Sequence, residues 1–136
     1  MSAIPTTGLR HVALRVRDLV RARAFYVDLF GMRAVWEPDP ENCYLTSGGD
    51  NLALHVSRDL PPAPGPNEAL DHIGFLVESR EAVWAAAATL RAHGVPIVTE
   101  ARDHRDGSSS VYCSDPDGHV VQVLYEPTVS GLRFTR

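Results

Sequence analysis

The residues of this chain best suited to chemistry are histidines set in a repeat. His11 lies in Gly8-Leu-Arg-His-Val-Ala-Leu-Arg-Val16 and His72 in Ala69-Leu-Asp-His-Ile-Gly-Phe-Leu-Val77, an offset of 61 positions. Each segment is a short apolar run that reads as a strand with its histidine near the start. A duplicated half brings equivalent positions together about a pseudo-twofold axis, so two such imidazoles can aim at one point. Neutral imidazole is a ligand for Zn, Fe, Ni or Co, and a divalent metal centre is the first chemistry to expect. The plainer reading of either histidine is a hydrogen-bonded residue lining a pocket; the symmetry of the pair favours metal.

Other side chains could serve a substrate. His104-Arg105-Asp106-Gly107 reads as a loop between two strands. Arg105 could clamp a carboxylate or phosphate through a bidentate contact, against the plainer reading of a solvated Asp-Gly turn. Trp36, Tyr44 and Tyr112 fall on strand-like segments and could wall an apolar pocket or fill the core. Trp84 reads as core. His93, just before Gly94, suits a helix C-terminus, where cations are favoured. Nothing matches G-x-S-x-G, a P-loop or G-x-G-x-x-G, so nucleophilic hydrolysis and nucleotide chemistry have no support.

The elements that must hold these residues repeat as well. After the strand His11–Val16, Asp18 stands as an N-cap. Leu19, Ala22, Phe25, Tyr26, Leu29 and Phe30 then form a helical apolar stripe that Gly31 ends. Three short strands follow, over Arg33–Trp36, Asn42–Thr46 and Asn51–Ser57. Residues 58–68 hold Pro61, Pro62, Pro64, Gly65 and Pro66 and read as an extended linker. The second half repeats the order: strand His72–Val77, an Ala-rich helix begun by Glu78 or Ser79 and ended by Gly94, then strands Val95–Glu100, Ser110–Ser114 and His119–Tyr125. Asp115-Pro-Asp-Gly118 is a strong turn before the last of these. We expect one domain over 1–136, with module 1 at about 8–57, the linker at 58–68, module 2 at about 69–127 and a tail at 128–136.

The bulk composition narrows the function class. A chain of 136 residues suits one modest domain, and its net charge of -4 offers no basic surface for nucleic acid. All 13 cationic side chains are arginine, which we read as GC-rich, bacterial genome composition. No run approaches the 18 apolar residues of a membrane span, and the first residues carry no signal-peptide pattern. The isolated Cys43 and Cys113 suit a reduced compartment. These features lead us to expect a cytoplasmic protein with no nucleic-acid or membrane partner.

Strand–helix–three strands, twice, with a histidine on each first strand and D-P-D-G before the last, resembles the vicinal oxygen chelate superfamily. That group includes glyoxalase I, methylmalonyl-CoA epimerase, extradiol dioxygenases, fosfomycin-resistance enzymes and bleomycin-binding proteins. Phe25-Tyr26-x-x-x-Phe30-Gly31 is similar to the family's F-Y-x-x-x-L-G helix ending. The resemblance covers residues 9–127 and implies an α+β fold: two tandem βαβββ modules forming a curved, cup-shaped mixed sheet with helices outside. It also implies one metal ligand from the first strand and one from the last strand of each module. His11 and His72 match the first-strand positions. Gln122, four residues after Gly118, stands where the family usually has Glu. Aligning Gly48–Asn51 with Asp115–Gly118 puts His55 in the corresponding place of module 1, or Leu54 if shifted by one. Such a set carries no anionic ligand unless Glu126 supplies one.

The expectation is a small-molecule metalloenzyme of glyoxalase or dioxygenase type, a lyase, isomerase or dioxygenase, using Zn, Fe, Mn, Ni or Co. His11, His72, His55 and Gln122 are the metal candidates. Glu126 and His104 are the candidate acid–base groups, and Arg105, Trp36, Tyr44 and Tyr112 the substrate contacts. The alternative is a metal-free protein that sequesters an aromatic or antibiotic-like ligand, as bleomycin-resistance proteins do. The resemblance further suggests a homodimer.

Overall fold

The computed structural model of the chain describes residues 2–60 and 69–132. Most of the proline-rich linker and the end of the tail lie outside the described residues. The chain divides into two compact units, one running to Arg58 and the other from Asp59. Each unit is described by itself.

The first module runs β1 (His11–Val16), α1 (Leu19–Ala24), a π-turn (Phe25–Leu29), β2 (Arg33–Asp39), β3 (Asn42–Thr46) and β4 (Asn51–Val56). The second runs β5 (Ile73–Leu76), α2 (Arg80–Ala92), β6 (Ile97–Asp103), β7 (Ser109–Ser114) and β8 (Val120–Tyr125). Their sheets have matching order, β1-β4-β3-β2 and β5-β8-β7-β6. In each the first strand pairs parallel to the last, and the other pairs are antiparallel. The expected α+β fold of two βαβββ modules is present, as two open, mixed four-stranded sheets.

In module 1 the Asp18 carboxylate accepts the Arg21 N–H at 3.0 Å and starts α1. The stripe expected to form one helix does so only to Ala24, and the π-turn completes it. The turn stacks Phe25 against Tyr26 at 4.9 Å and Phe30 at 5.5 Å between ring centroids. Gly31, at φ +70°, then reverses the chain as a side chain would resist. α1 packs on β3 and β4, and Leu14, Val16, Cys43, Leu45, Leu52 and Leu54 are buried. Burying each large aliphatic chain contributes roughly 1.5–3 kcal/mol. A one-residue slip of β1 or β4 would expose that whole set, so the helix-facing core fixes which side chains occupy the opposite face.

Module 2 uses the same devices. Ser79 caps α2 by accepting the Ala82 N–H at 3.2 Å, and Val83, Ala87 and Leu90 form its buried stripe. α2 packs on β6, β7 and β8. Trp84, expected in the core, sits beside that stripe and is 43% exposed. In the Asp115–Gly118 turn the Asp115 carboxylate accepts the N–H groups of Asp117 and His119 at 2.9 and 2.8 Å. Two strands differ from the sequence reading by more than one residue at an end. β2 runs three residues past Trp36, through Pro38, because it is an edge strand where a missing N–H is tolerated. β6 starts later and ends later than expected, at Ile97–Asp103.

Candidate functional site

Strand alternation and register decide which side chains share a face. In module 1, His11 pairs with Asn51, Ala13 with Ala53 and Arg15 with His55. These six share the face turned away from the buried Leu14, Leu52 and Leu54. Of the two alternatives left by sequence, His55 is therefore on the His11 face and Leu54 is in the core. Each of these histidines is held by its Nδ1. His11 Nδ1 is 2.8 Å from Asn51 Oδ1, and His55 Nδ1 is 2.6 Å from Asn42 Oδ1. An amide oxygen only accepts, so each Nδ1 donates, and in the neutral ring the lone pair is then on Nε2. Asn42 in turn donates to Asp39 at 2.9 Å. The Asp39 carboxyl is held below its ordinary range, first by the Glu41 N–H and then by the Asn42 amide. Tyr44 stands edge-on to His55 at 5.7 Å, and Trp36 tilts over Tyr44 at 5.0 Å. Trp36 is 59% exposed, so it belongs to this face and not to the core.

In module 2, His72 immediately precedes β5, Gly74 pairs with Gln122, and Gln122 pairs with Tyr112. His72 Nδ1 lies 2.6 Å from Asp71 Oδ1, which again leaves Nε2 available. Its ring stands perpendicular to Tyr112 at 5.1 Å. The Gln122 Nε2 donates to the Tyr112 hydroxyl at 2.8 Å. That leaves the Gln122 carbonyl oxygen as its unused polar atom. A Cβ placed on Gly74 would come within 3.2 Å of that oxygen, so the glycine keeps its surroundings clear. His72, Tyr112 and Gln122 form one contiguous cluster.

The matching registers correct the alignment of the two halves. Gln122 pairs with the residue two beyond His72; its counterpart pairs with the residue two beyond His11, and that is Ala53. His55 corresponds to Leu124, four residues along the strand from the level of His11, or about 13 Å. Module 1 thus offers one histidine at the shared position and an alanine where module 2 has Gln122. The turn-based alignment missed this because register is set by strand pairing and not by the length of the preceding turn.

A concave pocket of about 700 Å³ opens on module 2, lined by Arg102, His104, Arg105, Tyr112, Gln122 and Glu126 among others. His104 shares a 2.7 Å hydrogen bond with Ser110 Oγ through Nε2. Glu126 accepts the Thr128 N–H at 3.0 Å and the Thr128 hydroxyl, so its carboxylate is drawn toward the following turn. His93, as expected, caps its helix, with Nδ1 donating to the Thr89 carbonyl at 2.9 Å. Cys43 and Cys113 are buried free thiols. Burial pushes the Cys113 thiol up to about 11, which disfavours the thiolate a metal would need.

Sequence reasoning missed Asn51, Asn42, Asp71 and Gly74. Only Asp71 is adjacent to the residue it serves; the others meet their partners through strand pairing. Among the described residues no three His, Cys, Asp or Glu side chains come together as a metal-holding group. The donors that fit a cation are instead neutral. His11 and His72 are each oriented through Nδ1 with Nε2 left over, the arrangement by which ligating histidines are commonly held. Gln122 is buried at 7% exposure with its amide nitrogen already engaged.

Comparison with known proteins agrees with this architecture. Residues 8–123 match the model of the Glyoxalase/Bleomycin resistance protein/Dioxygenase superfamily. A metallothiol transferase FosB from Staphylococcus saprophyticus is 33% identical over 117 residues, covering 82% of this chain and 72% of that protein. A lactoylglutathione lyase from Haemophilus influenzae is 30% identical over 132 residues, covering 90% and 96%. The crystal structure of the fosfomycin resistance protein FosX from Listeria monocytogenes superposes with a TM-score of 0.74 at 22% identity, covering 94% of this chain and all of that one. Among the described residues no helix is long and apolar enough to cross a membrane. With the family model spanning both modules, the chain belongs to the glyoxalase/bleomycin resistance protein/dioxygenase superfamily.

Proposed function

We propose that the chain is a metalloenzyme acting on a small molecule, with His11, His72 and Gln122 as ligands of a divalent ion. The observation that carries this is the repeat in register: each module presents a histidine two residues ahead of the residue that pairs with Ala53 or Gln122, with Nδ1 bonded to a side-chain oxygen and Nε2 left over. A divalent ion held there by neutral donors would keep its full charge and would supply Lewis acidity to adjacent substrate oxygens. Zn, Fe, Mn, Ni and Co all accept imidazole and amide oxygen. The metallothiol transferase and lyase relatives make such chemistry the natural reading.

The chain's own residues would do the rest. Tyr112 holds the Gln122 amide so that its carbonyl is the atom presented. Asn51 and Asp71 fix the rings and tautomers of His11 and His72. His55, off the ligand position and braced by Asn42 and Asp39, is placed to exchange a proton at Nε2 in a substrate held near Trp36 and Tyr44. His104 and Glu126 are the acid–base candidates on the module 2 pocket, and Arg105 its contact for a charged group.

The second reading, a metal-free binding protein, draws on two observations: Gln122 brings no charge to hold a cation, and a Trp36–Tyr44 pair stands ready for a planar ligand. Metal analysis of protein purified without an affinity tag decides between them. We expect one divalent ion per chain, or one taken up from Zn, Fe, Mn, Ni or Co, and its loss in His11→Ala and His72→Ala. Failure of the wild-type protein to bind any of the five would favour the sequestering protein.

A further inference from the structure

The lining of the module 2 pocket is unbalanced in its hydrogen bonding. One oxygen of each of its carboxylates is spoken for locally: Asp106 Oδ1 takes the Ser108 N–H at 2.9 Å and the Ser108 hydroxyl at 2.7 Å. Asp103 Oδ1 takes the Ser109 hydroxyl at 2.5 Å, and Glu126 Oε2 takes Thr128. Its strongest donors are not. Among the described residues neither the Arg102 nor the Arg105 guanidinium has a hydrogen-bond or ion-pair partner, although both side chains line the same pocket. A guanidinium offers five N–H donors and no acceptor. Solvated arginines are common at surfaces, but here two converge on one concavity whose carboxylates are turned to local serines and a threonine.

The loop that carries Arg105 is also built rather than merely exposed. The His104 N–H bonds the Ser108 carbonyl at 2.8 Å and the Gly107 N–H bonds the His104 carbonyl at 3.2 Å. Arg80, at the start of α2, donates to the Gly107 carbonyl at 3.1 Å. Gly107 holds φ +90°, and a Cβ there would touch Pro127 at 3.8 Å. His104 is tied to Ser110 on the neighbouring strand. A loop fixed from within, from the helix and from β7 loses little entropy on binding.

We propose that Arg102 and Arg105 form a receptor for an oxyanion, a carboxylate or phosphoryl group on a small organic ligand, with Tyr112 and Gln122 flanking the same pocket. The proposal rests on the metalloenzyme reading only in calling that ligand a substrate; the oxyanion site stands or falls by itself. The three lining carboxylates offset much of the arginine charge. Affinity therefore comes from directed bidentate bonds, and removing a carboxylate charge strengthens it.

Calorimetric titration of metal-stripped protein at constant ionic strength tests this, with sodium phosphate in one arm and sodium acetate in the other. We expect one saturable site per chain for at least one of the two, and the tighter arm identifies the group. Arg102→Ala and Arg105→Ala should each weaken it about tenfold or more, as expected for charge-assisted bonds. Arg105→Lys, which keeps the charge without the fork, should recover only part of the loss. Glu126→Gln should tighten binding. His72→Ala should abolish metal uptake and leave oxyanion binding intact, whereas Arg105→Ala should do the reverse. No saturable binding in either arm, or binding unchanged in both arginine variants, would overturn the proposal without touching the metal assignment.

Discussion

Gln122→Glu is the substitution that most sharply separates a metal site from an empty cluster. The change keeps the side chain's shape and places a carboxylate at a position only 7% exposed. Gln122 now donates to the Tyr112 hydroxyl at 2.8 Å; in the variant the hydroxyl can rotate and donate instead, so the contact survives with its direction reversed. Without metal, burial raises the new carboxyl's pKa above the ordinary glutamate value of about 4.3. The variant should then match wild type in stability below about pH 4 and fall behind as pH rises through the folded-state pKa, by about 1–3 kcal/mol near neutrality. With a divalent ion, the carboxylate charge gains at least about 8 kcal/mol of attraction, the value for a separation of about 4 Å at an effective dielectric of about 20, because a ligating oxygen sits closer than that. Several kcal/mol of that goes to desolvation. A surplus of about 3 kcal/mol corresponds to roughly a hundredfold tighter binding. Competition against a chromophoric chelator measures it, and urea denaturation with and without metal measures the stability reversal. Equal metal affinity in the two proteins would refute the assignment of Gln122 as a ligand.

The same cluster and its surroundings give further expectations. Gly74→Ala puts a methyl group 3.2 Å from the Gln122 carbonyl oxygen; chelator competition should show metal affinity reduced about tenfold, and an unaltered affinity would mean that this oxygen is not used. Leu54→Ala should cost about 2–5 kcal/mol in urea denaturation, while His55→Ala on the other face should stay within about 1 kcal/mol and lower turnover instead. Comparable destabilisation by both would mean the face assignment is inverted. Cys43 and Cys113 should resist a thiol reagent at neutral pH in the native protein and react on unfolding, because burial raises both thiols, Cys113 to about 11. Rapid native modification would contradict that burial.

How far the sequence could be read depended on whether a signal was local. Asp18 and Ser79 capping their helices, Gly31 and Gly94 ending them, and the Asp115–Gly118 turn are decided within a few residues, and each is where the sequence placed it. The repeat itself followed from these markers. What depended on pairing across the sheet was less legible. The module 1 position equivalent in register to Gln122 is Ala53 and not His55, since the two modules reach β4 and β8 through turns of different build. Trp84 lies in an alanine-rich helix, where Val83, Ala87 and Leu90 define the buried stripe only once the helix is docked. The asparagines that orient His11 and His55 come from strands distant in sequence, and no spacing rule announces them. The pocket arginines were half visible: Arg105 stood out in its loop, but Arg102 fell between the expected strand end at Glu100 and that loop, and only the extension of β6 to Asp103 brings it into the site.

The central proposal is that the imidazoles of His11 and His72 serve as ligands of a divalent ion. X-ray absorption at the edge of that ion, in protein carrying one equivalent of Zn or Co, addresses it most directly. We predict a first shell of nitrogen and oxygen only, near ~2.0–2.1 Å, with outer-shell scattering from two imidazoles that falls to one in either His11→Ala or His72→Ala. Sulfur in the first shell, or imidazole scattering untouched by both substitutions, would contradict it.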